Sequence, residues 1–186
     1  MELYQVEELR AGLTVADFMA AYVDPERFLA YCRECPNYQR VWSCPSYDFD
    51  PRQLWLSYEA LSLYGRKLVF SPQARQTTYG QAGLQELLAA SLYQERAGLA
   101  REILALEAAR PGSLALLPGN CRYCGENQCS RPLGQACRHP QQCRYSIEAL
   151  GGDVSLIGER LLHSPLLWIS QGRLPPYLTL IAGLLQ

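Results

Sequence analysis

The stretch Cys121–Cys143, CRYCGENQCSRPLGQACRHPQQC, holds five of the chain's eight cysteines, and the other three stand far upstream in Cys32–Pro45, CRECPNYQRVWSCP. The later group reads C-x2-C-x4-C-x7-C-x5-C and the earlier one C-x2-C-x8-C. Thiolates two residues apart can reach one ion or one face of a cluster, because a short loop turns both sulfurs inward while its amides face them. Clustering of this kind points to metal. Five and three also sum to two sets of four. If every thiol is used, at least one four-cysteine site must draw on both groups, and that crossing ligand would hold the two distant segments together.

Cys35-Pro36 and Cys44-Pro45 share the cysteine-proline step found where a ferredoxin ligand serves a second cluster. Proline fixes φ near −65° and lacks an N–H, so it stiffens the turn beside the sulfur. The aromatic residues Tyr31, Tyr38, Trp42 and Tyr47 interleave with the first group. They can wall a cluster from water or belong to the core around a loop.

Composition narrows the class. In 186 residues, 48% apolar, the chain can bury a core without covalent staples. Cysteine is about 4% of the residues, below the level of a disulfide scaffold. The opening MELYQVEELRAGL has acidic residues and no apolar run of a secretory signal, so a reducing cytoplasm is expected and disulfides are the minor reading. No apolar run is long enough to span a membrane. A net charge of −1 provides no field for nucleic acid. Lys67 is the only lysine among the seventeen basic residues, a bias of composition more than of function.

Periodicity predicts a single domain over residues 1–186, of α/β or α+β class. It would have a small mixed, partly parallel sheet of three or four strands, flanked by helices, with the cysteine loops at one end. Residues 1–31 read as helical, with Asp24-Pro25 opening a short helix that delivers Cys32. Asp50-Pro51 opens another, its stripe running through Leu54, Trp55, Tyr58, Leu61 and Leu63 to Gly65. A strand at 66–70, a loop at 71–83, one long helix at 85–110 weakened at Gly98, and a strand at 113–117 form a β-α-β unit, which favours a parallel pair. The second cysteine group would then lie at the C-terminal edge of a sheet. A short helix at 146–150, a helix capped by Asp153 and a buried terminal strand, PYLTLIAGLLQ, complete the chain.

Zinc and iron–sulfur clusters both accept four cysteines, so ligand type does not separate them. Zinc ribbons favour two matched C-x2-C knuckles, whereas the gaps of four, seven and eight residues here suit the wider cubane. The candidate metal ligands are therefore Cys32, Cys35, Cys44, Cys121, Cys124, Cys129, Cys137 and Cys143, holding one or two 4Fe-4S clusters, with zinc as the alternative cofactor. Arg122, Arg131, Arg138 and Arg144 surround the second group, opposed by Glu126, and can offset the charge of either kind of site. His139 can replace a cysteine, and His163 reads as a core or surface histidine. No phosphate loop, nucleophile elbow or zinc-protease helix is present. If Cys32, Cys35 and Cys44 alone held a cubane, its fourth iron would be open to a substrate, the enzyme alternative.

CPNYQRVWSCP, followed by CRYC, CRHP and YSIEALGGDV, resembles a prokaryotic family of unknown function described as predicted metal-binding proteins. The resemblance runs through nearly the whole chain. It implies a cytoplasmic metal protein, with iron–sulfur the usual suspicion and no established reaction. By position it carries over Cys32, Cys35, Cys44, Cys121, Cys124, Cys129 and Cys137. Cys143 stands where the family often has a basic residue, and Cys124 and Cys129 are further apart than the family's late cysteines. The expected role is electron transfer or redox sensing with an unidentified redox partner protein; a zinc-stabilised interaction module is the first competitor.

Overall fold

The computed structural model describes residues 2–125 and 127–186. In chain order, β1 (Tyr4–Thr14) leads into α1 (Val15–Tyr22), α2 (Pro25–Arg33) and α3 (Pro51–Leu56), then β2 (Ala60–Phe70). Next come α4 (Pro72–Gln76), α5 (Gln81–Ala90), α6 (Leu92–Ala108) and β3 (Leu114–Leu116). After the cysteine-rich segment follow α7 (Val154–Arg160) and β4 (Tyr177–Leu185).

The strands form one sheet in the order β1-β2-β4-β3, and every neighbouring pair is antiparallel. The expected parallel pairing is therefore wrong. β2 and β3 do run in the same direction, but β4 lies between them and pairs with both. The crossover through α5 and α6 leaves a gap one strand wide, and the last strand fills it. β4 suits that central place because both of its faces are apolar. Leu178, Leu180 and Ala182 pack with α5 and α6, whereas Ile181 and Leu185 pack with Phe18, Trp55 and Ile157 of α1, α3 and α7. Helices thus cover both faces of an antiparallel sheet.

Residues 4–14 form a strand where a helix was expected. Glu and Leu favour helix, but Leu9, Ala11 and Leu13 alternate toward the core, and the intervening charges find partners across the ladder. Glu7 meets Lys67 at 2.9 Å and Glu8 meets Arg66 at 2.8 Å, both register neighbours. Cross-strand pairing overrides local propensity here. Only at Thr14, whose hydroxyl accepts the Asp17 N–H at 3.0 Å, does helix begin.

The helix expected through Leu63 likewise stops early, at Leu56. Leu61 and Leu63 belong to β2, where they point into the α1–α3 core, while Leu68 and Phe70 fall on the other face. The long helix is broken at Ser91, a buried residue whose hydroxyl donates to the Leu87 carbonyl at 2.7 Å. Gly98 lies inside α6 without breaking it. An added Cβ there would come within 2.7 Å of the Arg66 guanidinium, so the glycine admits a side chain from the sheet. Residues 72–76, expected as loop, form α4.

The expected starts at Asp24, Asp50 and Asp153 are present, each carboxylate accepting a backbone N–H of the helix it opens. No helix among the described residues is long and apolar enough to cross a membrane.

Candidate metal centre

α2 ends where the first cysteine group begins, and its position is set by a distant turn. Glu148–Leu150 forms a 3-10 turn closed by Gly151 at φ 88. The Asp24 N–H donates to the Gly151 carbonyl at 2.8 Å, and the Asp153 N–H donates to the Tyr22 carbonyl at 2.8 Å. Arg27 pairs with Asp153 at 3.4 Å. The segment SIEALGGDV is thus the seat of α2.

From Cys32 the chain runs through linked turns. Cys35 N–H donates to the Cys32 carbonyl, Tyr38 N–H to that of Cys35, and Cys44 N–H to that of Val41, each at 3.0 Å. The amide of Asn37 points at the Cys35 sulfur from 3.8 Å. Burial pushes the Cys44 thiol up to about 11, and the neighbouring Cys35 and Cys32 sulfurs add to the rise. The Cys32 thiol is raised by burial and by Cys35. The Cys35 sulfur thus adds to the rise at both of its neighbours.

Downstream, β3 leads through Pro118 and Gly119 to Cys121. Arg96 of α6 fixes this exit, donating to the carbonyls of Pro118, at 2.7 Å, and of Asn120. The Cys121 and Cys143 sulfurs lie close enough to shift one another, Cys143 upward, with Cys137 adding to the rise. The Cys121 thiol is lowered by Cys143 against the opposing effect of burial. These three cysteines thus stand near one another, while no described contact links Cys124 or Cys129 to another cysteine. All eight cysteines are free thiols, and all except the exposed Cys35 are half-buried.

Three links bring the two segments together. Ser43, 1% exposed, accepts the Cys121 N–H on its hydroxyl at 2.9 Å. The Trp42 indole donates to the Ser130 hydroxyl at 3.3 Å and to the Gln135 carbonyl at 3.2 Å. Arg131 donates to the carbonyls of Val41, at 2.8 Å, of Cys44 and of Ser46. The fold itself joins the groups, with or without a shared ligand. They gather beside the β3 edge, where Leu114 lines a cleft with Trp42, Cys137 and Cys143, and not at the C-terminal ends of a parallel sheet.

The arginines of the second group have structural partners. Arg144 is clamped by Glu107 at 2.7 Å, and Glu107 also accepts the Ala115 N–H at 2.7 Å, tying the Cys143 loop to α6 and β3. Arg138 donates to the Gln128 carbonyl, and Arg122 lies 5.0 Å from the Tyr93 ring centre. Glu126 lies outside the described residues. His139 sits against the Tyr123 ring, with centroids 6.1 Å apart, and its carbonyl accepts the Cys143 N–H at 2.9 Å. His163 occupies a turn at φ 49, after α7. Tyr47, Phe49 and Tyr145 form an aromatic cluster with centroids 4.8–5.5 Å apart. It closes the side of the first group toward the core.

The donor chemistry fits a thiophilic metal: eight free thiols on two neighbouring segments, with no disulfide. Among the described residues, no three His, Cys, Asp or Glu side chains form a closed group for an ion. Sequence reasoning missed Ser43, Ser130 and Arg96. Nothing local distinguishes a serine or a helical arginine that will bridge distant loops.

A comparison with curated proteins finds no match, and a comparison with solved structures finds none. A family model described as predicted metal-binding protein (DUF2284) matches residues 19–183, which includes all eight cysteines. With nearly the whole chain matched and both cysteine groups inside the match, the protein belongs to this family of predicted metal-binding proteins.

Proposed function

We propose that the cysteines hold one or two 4Fe-4S clusters and that the protein carries electrons, or senses redox state, in the cytoplasm. The observation that supports this most is the joining of the two cysteine-bearing segments through Ser43, Trp42 and Arg131. Cys32, Cys35 and Cys44 would serve one cluster and Cys121, Cys137 and Cys143 the other, or both trios would contribute to one, with Cys124 and Cys129 completing the sets. A bound cluster supplies one-electron chemistry at a potential set by its surroundings.

The protein's own residues have defined parts. The Asn37 amide, donating to the Cys35 sulfur, orients it within its turn. Tyr47, Phe49 and Tyr145 exclude water from the inner side. Tyr31 is 61% exposed beside Cys32, and Leu133 is 72% exposed within the second segment. These apolar residues support docking of a redox partner protein close to the thiols.

The test is iron, acid-labile sulfide and zinc per chain, on protein purified without oxygen, for wild type and Cys143→Ser. About eight irons and eight sulfides, falling toward four in the variant, are expected for two clusters with Cys143 as a ligand. About four irons, unchanged by the substitution, mean one cluster and a spare thiol. Zinc without sulfide refutes the redox reading and leaves a zinc-stabilised interaction module.

A further inference from the structure

A cavity of about 560 Å³ opens between α6 and the chain leaving β3. Its size falls in the range of small-molecule sites. Four arginines line it: Arg96 and Arg101 from α6, Arg122 next to Cys121, and Arg144 next to Cys143. No carboxylate among the described residues lines it. Arg144 is balanced from behind by its ion pair with Glu107, and Arg96 spends donors on the Pro118 and Asn120 carbonyls. Arg101 and Arg122 make no ion pair among the described residues. The cavity therefore has an excess of positive charge with donors to spare, and guanidinium forks suit carboxylate and phosphate oxygens.

Apart from Asn120 and Gln142, the rest of the wall is largely apolar. Ala97, Ala100 and Leu104 form one stripe of α6, and Leu117 and Pro118 face it from the β3 exit. The space exists because alanines stand at 97 and 100, where larger side chains would fill it. Tyr93 and Tyr123 add rings at the mouth. Cys121 is part of the same wall.

We propose that this cavity binds a small organic anion, a carboxylate or phosphate ester on an apolar body, beside Cys121. Arg101 and Arg122 take the anionic group, and the alanine stripe takes the body. A bare inorganic anion would leave the apolar wall unused, and a neutral ligand would leave the guanidinium groups unpaired. The site does not depend on which metal the cysteines hold.

The test is isothermal titration calorimetry on metal-loaded protein with 1-naphthyl phosphate and 1-naphthoate, against neutral 1-naphthol and inorganic phosphate. At least one naphthyl anion is expected to bind one per chain, about tenfold or more tighter than 1-naphthol and than phosphate. The double variant Arg101→Gln/Arg122→Gln should weaken it by about tenfold or more. Ala97→Trp, at an exposed position, should abolish it by filling the cavity. No binding at about 10 mM, binding that survives Ala97→Trp, or phosphate binding as tightly as the organic anions would overturn the proposal. Iron and sulfide measured on the same samples keep the two readings apart. Binding by a zinc-loaded protein removes the electron carrier and leaves this site standing, whereas an iron–sulfur protein that binds neither anion does the reverse.

Discussion

Replacing Gly151 with alanine asks whether the SIEALGGDV turn really seats the first cysteine group. Gly151 lies at φ 88, in the left-handed region that costs an alanine about 1–2 kcal/mol. The new Cβ would also stand 2.6 Å from the Pro25 Cα and 2.8 Å from the Pro25 N. Those are backbone atoms at the start of α2, and they cannot swing aside as a side chain can. Ordinary contact begins at 3.4 Å, so α2 must retreat by roughly 1 Å, with overpacking that adds about 1–3 kcal/mol. Retreat also stretches the 2.8 Å hydrogen bond from Asp24 to the Gly151 carbonyl. The expected loss is about 2–5 kcal/mol in urea unfolding, with less metal bound per chain, because Cys32 rides on α2. Gly83→Ala is the control. It lies exposed in α5 with nothing within 4 Å of the added atom, and should be neutral or up to about 1 kcal/mol more stable. If Gly151→Ala keeps its metal and unfolds within about 0.5 kcal/mol of wild type, α2 is not held by this turn and the reasoning fails.

Arg131→Ala removes the guanidinium that gathers the Val41, Cys44 and Ser46 carbonyls, and it should lower bound metal. Arg131→Lys should not restore it, since one ammonium cannot span the same fork; metal analysis of both variants checks this. Glu107 is subject to burial, which alone would raise its pKa, but hydrogen bonds from Arg144 and the Ala115 N–H hold it below the usual carboxylate range. Its contribution to stability is therefore complete above the ordinary 4.5 and is lost as pH falls through the lowered value. Glu107→Gln should be destabilised at pH 7 by about 2–4 kcal/mol and show a flatter acid limb in pH-dependent urea titrations; an unchanged acid limb counts against it. In metal-free protein at pH 7, Cys121 is shifted toward the thiolate by Cys143, and Cys44, raised to about 11, is a thiol. Iodoacetamide should label Cys121 before Cys44 by peptide mass mapping, and the reverse order would contradict the assignment. Trp55→Phe leaves the buried Leu150 carbonyl without its 3.0 Å donor and should cost about 1–3 kcal/mol, read as a lower melting temperature.

Much of the site was legible because its chemistry is local. Two groups of thiols at short spacing point to metal in any fold, and the matched family bears out the metal-binding reading. Helix starts at Asp24, Asp50 and Asp153 were legible for the same reason: a cap is a contact between near neighbours. Strand pairing was not. Leu9, Ala11 and Leu13, and later Leu61 and Leu63, sit among good helix formers, and only the partner strand makes their alternation count.

The sequence alone therefore determined the kind of chemistry, the local caps and the doubly apolar character of the last strand. Tertiary structure alone decided that β4 enters between β2 and β3, so that no parallel pair forms. It also decided that Ser43, Trp42 and Arg131 tie one cysteine loop to the other across some 78–93 residues of chain. Such links depend on hydrogen bonds between groups that any loop carries. Their partners are chosen only after the sheet has placed both segments beside the β3 edge.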